Sequence, residues 1–183
     1  YLRNLKAFFS WLVETEYIDR SPLKKIRLLP DERRAKEYLE DEEVMRLLKS
    51  MSKSHFHEYR DYVAIMIMLD SGTRLGETLS AENEQLNLHE RCLHLPADKT
   101  KGRKARTVYF SAKTARELKY WLQFRDRYCS SDYLFPVRHT GLPIHLSDFE
   151  KNFTKYCHRA GIWKRVSPHT LRNNFAKRCL LAG

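Results

Sequence analysis

The sequence is poor in the residues that build cross-linked, repetitive or membrane-spanning proteins. Its four cysteines, Cys92, Cys129, Cys157 and Cys179, stand far apart and form no Cys-x-x-Cys pair. That spacing gives neither a zinc knuckle nor the disulfide framework of a small secreted protein, and a reducing interior fits it better. Six glycines and six prolines leave no low-complexity tract, and no internal repeat is visible. The longest apolar run, Tyr62 to Leu69, is far short of the ~20 residues a membrane helix requires. No signal-peptide pattern opens the chain. There is no phosphate-binding Gly-x-x-x-x-Gly-Lys loop and no clustered-carboxylate metal motif. Acidic residues are also in deficit. Against 23 Asp and Glu stand 34 Lys and Arg, giving a net charge of +11 and a pI near 9.6. Such a chain is drawn to polyanions, of which nucleic acid is the commonest.

What is present is a periodic, mostly helical pattern. With 42% hydrophobic residues over 183 positions, the chain can bury one ordinary domain and part of another. Leu2, Leu5, Phe8, Phe9, Leu12 and Val13 recur at helical spacing and predict a helix from about Tyr1 to Tyr17. Its apolar face has no partner nearby in sequence, so residues 1–27 are expected to close a domain lying mostly upstream. The first residue is not Met, which reads as a piece of a longer protein. Residues 28–37, charged and containing Pro30, read as a linker. A second domain is expected over 38–183.

In that second domain, Glu40, Asp41, Glu42 and Glu43 sit where a helix N-terminus favours negative charge, ahead of Val44, Leu47, Leu48 and Met51. The run Tyr59 to Leu69 is apolar all round and should be a central helix, broken at Asp70-Ser71-Gly72. A short helix follows from Arg74 to about Ala81. Cys92 to Pro96 and Arg106 to Phe110 read as two strands around a basic turn. Ala115, Leu118 and Leu122 mark a further helix, and Asp132 to Pro136 an extended segment. Ser147 and Glu150 are spaced as a capping box before Phe149, Phe153, Tyr156 and Cys157. A last helix opens with Ser167 as N-cap and Pro168 in its first position. The fold class is mainly α with a small antiparallel β-sheet.

Four residues carry the chemistry. His169 and Arg172, three apart, share a helix face in a first turn whose free N–H groups favour an anion. The row Leu171, Phe175 and Cys179, about a quarter turn away, can be buried while they remain presented. Arg74 and Glu77 are also three apart, and an Arg–carboxylate pair there would fix the guanidinium. Lys101 lies at a hairpin tip with Lys99, Arg103 and Lys104, and neighbouring positive charge lowers a lysine's pKa toward acid catalysis. Taken singly these are also a surface pair, a surface salt bridge and a solvated loop. Together they suit a phosphodiester.

In order and context the motifs resemble those of the tyrosine recombinase (phage integrase) family. Ser71-Gly72-Thr73-Arg74-Leu75-Gly76-Glu77 resembles the family's first arginine box. Lys101-Gly102-Arg103-Lys104-Ala105-Arg106-Thr107-Val108 is similar to its β-hairpin lysine segment, and Ser167 to Ala176 to its second box. Two positions depart: Thr73 stands where an aliphatic residue is usual, and Asn173 where a histidine is usual. The resemblance implies a DNA breaking-rejoining fold acting on double-stranded DNA without cofactor or metal, through a 3′-phosphotyrosine. Arg74 and Arg172 would clamp the phosphate, Lys101 would protonate the 5′-oxygen, His169 would take the nucleophile's proton, and Glu77 would orient Arg74. Lys99, Arg103, Lys104 and Arg106 would contact DNA. No tyrosine follows Arg172, so the nucleophile is expected beyond residue 183 and the chain by itself is expected to be inactive. Tyr109 and Tyr156 read as core or interface residues. The family implies a tetramer in synapsis, no membrane contact, and a cytoplasmic, nucleoid-associated setting. A DNA-binding relative without activity, a type IB topoisomerase-like enzyme, and a basic helical domain contacting RNA or protein are the alternatives.

Overall fold

The computed structural model describes residues 1–27, 37–98, 100 and 102–182. Its chain divides into two compact units, Tyr1–Ala35 and Lys36–Gly183. Nearly all of the expected linker, 28–37, lies outside the described residues.

In the first unit, α1 (Leu2–Glu14) is amphipathic but buries none of its residues. It ends short of Tyr17 for a local reason. The Thr15 hydroxyl donates to the Trp11 carbonyl at 2.7 Å, and Glu16 then turns into the left-handed region at φ 59°. Trp11 stacks between Phe8 and Tyr17, with ring centroids 6.2 and 6.1 Å away.

The second unit is assembled around one helix. α2 (Asp41–Lys49) begins at Glu40, whose N–H donates to the Glu43 carboxylate at 2.8 Å. Asp41, Glu42 and Glu43 occupy its first turn, where the helix dipole favours them. α3 (Phe56–Ser71) is buried along its whole length except at His57 and Asp70. It starts three residues earlier than periodicity predicts because Phe56 joins an aromatic cluster, 5.1 Å from the Trp121 ring and 6.2 Å from that of Tyr128. The short α4 (Leu75–Leu79) follows. Next come a 3-10 turn at Asn83–Gln85 and a three-stranded antiparallel sheet of β1 (Leu86–Asn87), β2 (Cys92–Leu95) and β3 (Arg106–Tyr109), in that spatial order. Leu93 and Leu95 point into the core while His94 faces out. Then come α5 (Ala112–Arg125), α6 (Leu146–Arg159) and α7 (Pro168–Leu181). α3 packs against both α5 and α7. None of the helices among the described residues is long and apolar enough to cross a membrane.

Three local expectations are corrected. The cap of α6 is His145, whose Nδ1 accepts from the Ser147 N–H, so Ser147 lies inside the helix and forms no capping box with Glu150. Asp132 to Pro136 forms only single bridges, Glu82 to Tyr133 and Pro136 to Pro143. The row on α7 is buried at Leu171, half-buried at Phe175 and exposed at Cys179, because only the first half of α7 carries a run of buried residues.

Hydrogen bonds to a buried carboxylate, and one ion pair nearer the surface, fasten α3 to α6. Asp61, fully buried, accepts from Arg60 Nε at 2.9 Å, Asn152 Nδ2 at 3.0 Å and the Tyr156 hydroxyl at 2.9 Å. Arg60 also donates to the Pro136 carbonyl. Three partners, Asn152, Tyr156 and the Pro136 carbonyl, thus satisfy a buried pair that would otherwise be costly. One turn earlier, Glu58 receives both terminal nitrogens of Arg159, at 3.0 and 2.7 Å, and the Ser52 N–H at 2.7 Å. The Arg159 bonds outweigh burial and hold the Glu58 carboxyl down at about 2.

A carboxyl depressed in the folded state contributes stability above its unfolded pKa, near 4.3, and loses it as pH falls toward the folded value. Glu58→Gln should therefore flatten the loss of stability between about pH 4.5 and 2, by on the order of 2 kcal/mol after allowing for the half-exposed Arg159. Denaturant unfolding across that range measures it. Parallel pH curves for the two proteins would contradict the assignment.

Candidate active site

The site is built where α3 stops. Gly72 closes the helix at φ 63°. A Cβ there would fall 2.2 Å from Cδ1 of Phe175 on α7, so the glycine provides both the left-handed turn and room for α7 to approach. Thr73, the residue that departs from the family's aliphatic, is fully buried and pairs its hydroxyl with that of Thr78 at 2.8 Å. A hydroxyl pair thus fills the place of an apolar side chain.

Arg74 caps α4. Its N–H donates to Glu77 Oε2 and its Nη1 to Glu77 Oε1, both at 2.9 Å. This is the pair that the i, i+3 spacing predicts. A further partner is not visible in the spacing. Arg106, on β3, donates Nη1 to Oε1 at 3.1 Å and Nη2 to Oε2 at 2.6 Å of the same carboxylate. Glu77 is 3% exposed, and each of its oxygens takes two donors. Burial pushes its carboxyl upward, but the bonds from Arg106 and Arg74 prevail and hold it below the ordinary value. It remains ionised.

Arg172 enters from α7 and donates Nη1 to the Gly72 carbonyl. Its pKa is lowered first by burial and then by the charges of Arg74 and Arg106, with Glu77 opposing. An arginine stays protonated under such a shift, so the depression reports crowding of like charge. Three guanidinium groups surround one carboxylate. The cluster keeps two positive charges that no carboxylate among the described residues balances. Arg74, with a side chain 42% exposed, shows part of this charge to solvent. An anion with two free oxygens is the natural complement.

α7 begins as expected, with Ser167 as N-cap, Pro168 at N1, and the Ser167 N–H donating to the Thr170 hydroxyl at 3.2 Å. His169 is exposed in that first turn, one turn before Arg172 on the same face. Asn174, buried, exchanges hydrogen bonds with the N–H and carbonyl of Leu39. That tie fixes α7 to the segment leading into α2, and nothing in the spacing signals it.

At the hairpin, Lys99 and Lys101 lie outside the described residues. Arg103 and Lys104 are exposed. The turn closes on buried Thr100, whose hydroxyl bonds the Lys104 carbonyl at 2.9 Å and accepts its N–H at 3.1 Å. The structure therefore brings together Arg74, Glu77, Arg106 and Arg172, sets His169 a turn away, and leaves Arg103 and Lys104 at the exposed turn. Arg106, expected to reach DNA directly, has both terminal nitrogens on Glu77. Of the two tyrosines expected in the core or at an interface, Tyr156 lies in the core and Tyr109 is 66% exposed.

Residues 37–183 match the model of the "Phage integrase family". Over 182 residues the chain is 30% identical to a tyrosine recombinase of Pseudothermotoga lettingae, covering 100% of this chain and 60% of that protein. It is 27% identical to tyrosine recombinase XerC of Thermodesulfovibrio yellowstonii, covering 100% and 62%. The chain thus spans about three fifths of the length of these relatives. Among solved structures it is similar to XerH site-specific recombinase bound to palindromic difH substrate in a post-cleavage complex. That match has a TM-score of 0.77 and 25% identity, over 97% of this chain and 54% of that one. XerA recombinase matches with a TM-score of 0.70 at 25% identity, over 98% and 61%. The Tn1549 transposon integrase, at 18% identity and TM-score 0.79 over 99% and 65%, shares the fold.

Because Glu77 is buried while Arg74 is half-exposed, their removal should cost differently. Glu77→Ala should lower unfolding stability by roughly 3–5 kcal/mol, the cost of breaking a buried ion pair. Arg74→Ala should cost only about 1 kcal/mol. Chemical denaturation of the two variants checks this. Equal losses would show that Glu77 is not the hub of the cluster.

Proposed function

The chain belongs to the phage integrase family, and on that premise we propose that it is the strand-breaking and rejoining part of a site-specific DNA recombinase. The observation that carries this reading is the convergence of Arg74 and Arg172, from distant parts of the chain, on either side of the Gly72 turn, with Glu77 and Arg106 holding the first of them. In this reading the guanidinium groups of Arg74 and Arg172 receive the non-bridging oxygens of a scissile phosphodiester, where negative charge grows in the transition state.

The reaction follows from that placement. A tyrosine phenol attacks phosphorus, forming a phosphotyrosine on the 3′ side and breaking the bond to the 5′-oxygen. His169 takes the phenolic proton, and Lys101 gives one to the departing oxygen. The energy of the ester is kept in the new bond, so a second DNA end can reverse the step with no nucleotide cofactor. Arg103 and Lys104 contact the DNA backbone, and Arg106 supports Glu77 from behind. Residues 1–27 act as the closing helix of a core-binding domain that grips the duplex, and synapsis joins four copies. The complete protein works on the nucleoid of a bacterial host.

The nucleophile is not assigned to any tyrosine of this sequence. Tyr156 is committed to Asp61, and burial followed by that charge keeps its phenol protonated. Tyr59 is likewise bound to Glu117 and pushed upward, by burial first. The 183 residues should bind duplex DNA with a strong salt dependence yet form no covalent adduct with a nicked suicide substrate. Denaturing electrophoresis decides this, and a robust adduct would place the nucleophile within the sequence.

In a form of the protein that carries its nucleophile, Arg172→Ala should reduce strand cleavage by at least about 10²–10³-fold while changing duplex affinity little. Gel-shift and single-turnover cleavage assays separate the two effects. Cleavage retained with affinity lost would make Arg172 a binding residue only. Affinity without cleavage in the unmutated protein would identify a relative that binds DNA and does not cut it.

A further inference from the structure

On the outer face of the sheet, away from the arginine cluster, three metal-ligating side chains meet. Glu90, Cys92 and His94 are spaced two apart. Strand alternation puts Cys92 and His94 on one face of β2, and Glu90 joins them from the turn before the strand, where Arg91 takes a left-handed φ of 55°. The Cys92 sulfur lies 3.7 Å from His94 Nε2 and 3.8 Å from Glu90 Oε2. All three ligand atoms fall within 4.8 Å of one another. A zinc ion with bonds of about 2.0–2.3 Å to nitrogen, oxygen and sulfur would set neighbouring ligands about 3.5 Å apart. The two measured separations are close to the edges of such a tetrahedron.

The histidine is also oriented for the task. Its Nδ1 is held by the Thr107 hydroxyl at 2.9 Å across the β2–β3 ladder, which aims Nε2 at the sulfur. Metal-bound histidines characteristically engage their second nitrogen in this way. The sulfur is buried beneath Glu90 and His94, both of which are exposed, so three ligands converge from one side and leave the solvent side for a water. Thiolate, imidazole and carboxylate together favour zinc over magnesium or calcium.

We propose that Glu90, Cys92 and His94 form a three-ligand site for a zinc ion, with a fourth position open to solvent. The Cys-x-His spacing within one strand differs from the Cys-x-x-Cys spacing of zinc knuckles. Burial and the nearby Glu90 charge hold the Cys92 thiol above its ordinary pKa, and binding would release that proton. Consequences for the neighbouring site follow from register. His94 pairs with Thr107 and Leu95 with Arg106, so an ion here would stiffen the strand pair from which Arg106 supports Glu77.

Cobalt(II) is the probe, added to the reduced 183-residue protein and followed by absorption. The expected result is one ion per chain, with tetrahedral-intensity visible bands and a sulfur-to-cobalt charge-transfer band, both abolished by added zinc. Cys92→Ser should remove the charge-transfer band, and the surface change His94→Ala should weaken binding at least 100-fold without altering the circular dichroism. Thr107→Val, which touches no metal, should weaken it by about 10-fold or more. Cys179→Ser, at the exposed thiol, should change nothing. Absence of the charge-transfer band, or a band lost in Cys179→Ser but kept in Cys92→Ser and His94→Ala, would overturn the proposal.

Discussion

The carboxylate of Glu77 is the point on which the arginine cluster balances. It is buried, it is ionised, and it accepts four hydrogen bonds, three from the guanidinium groups of Arg74 and Arg106 and one from the Arg74 backbone. Without it, two guanidinium groups would be crowded together beside Arg172 with no counter-charge. With it, they are held rigidly and the cluster still carries an excess of positive charge. In the proposed role, that excess is the useful quantity. Electrostatic stabilisation of a phosphoryl transition state depends on charges already in place, because reorganising them during reaction would cost much of the benefit.

Rigidity of this kind needs a stiff support, and α3 provides it. Its buried length is clasped by α5 and α7, and its polar residues are tied to α6 through Asp61 and Glu58. The helix ends at Gly72, where the absence of a side chain lets Phe175 of α7 come close enough for Arg172 to reach the Gly72 carbonyl. Fold and site therefore share one constraint. The same left-handed turn that ends the central helix turns Arg74 outward and admits α7.

Much of this was legible in the sequence because it is local. The break at Gly72, the Arg74–Glu77 spacing, the Ser167-Pro168 helix start and the two longer strands each depend on residues within a few positions of one another. What is not legible there depends on distance or on uncommon chemistry. Arg106 finds Glu77 only because β3 lies beside α4, and no spacing rule joins residues 29 apart. Asn174 reaches Leu39 across 135 residues. His145 caps α6 with an imidazole, which is not among the usual capping side chains, and the two-residue β1 is too short to show a period. The departure at Thr73 became intelligible only with Thr78 facing it. Lys101 was read from a hairpin motif, and its part in the chemistry rests on that motif.

In the proposed reaction Arg74 and Arg172 receive one and the same phosphodiester. Arginine side-chain NMR of the 183-residue protein, titrated with a short DNA duplex at low salt, reads this shared contact out. Shared ligation predicts that the Nε–H signals of Arg74 and Arg172 move together with a single midpoint, and that Glu77→Ala uncouples them. Signals that shift at separate duplex concentrations, or that stay still while other surface arginines respond, would contradict it.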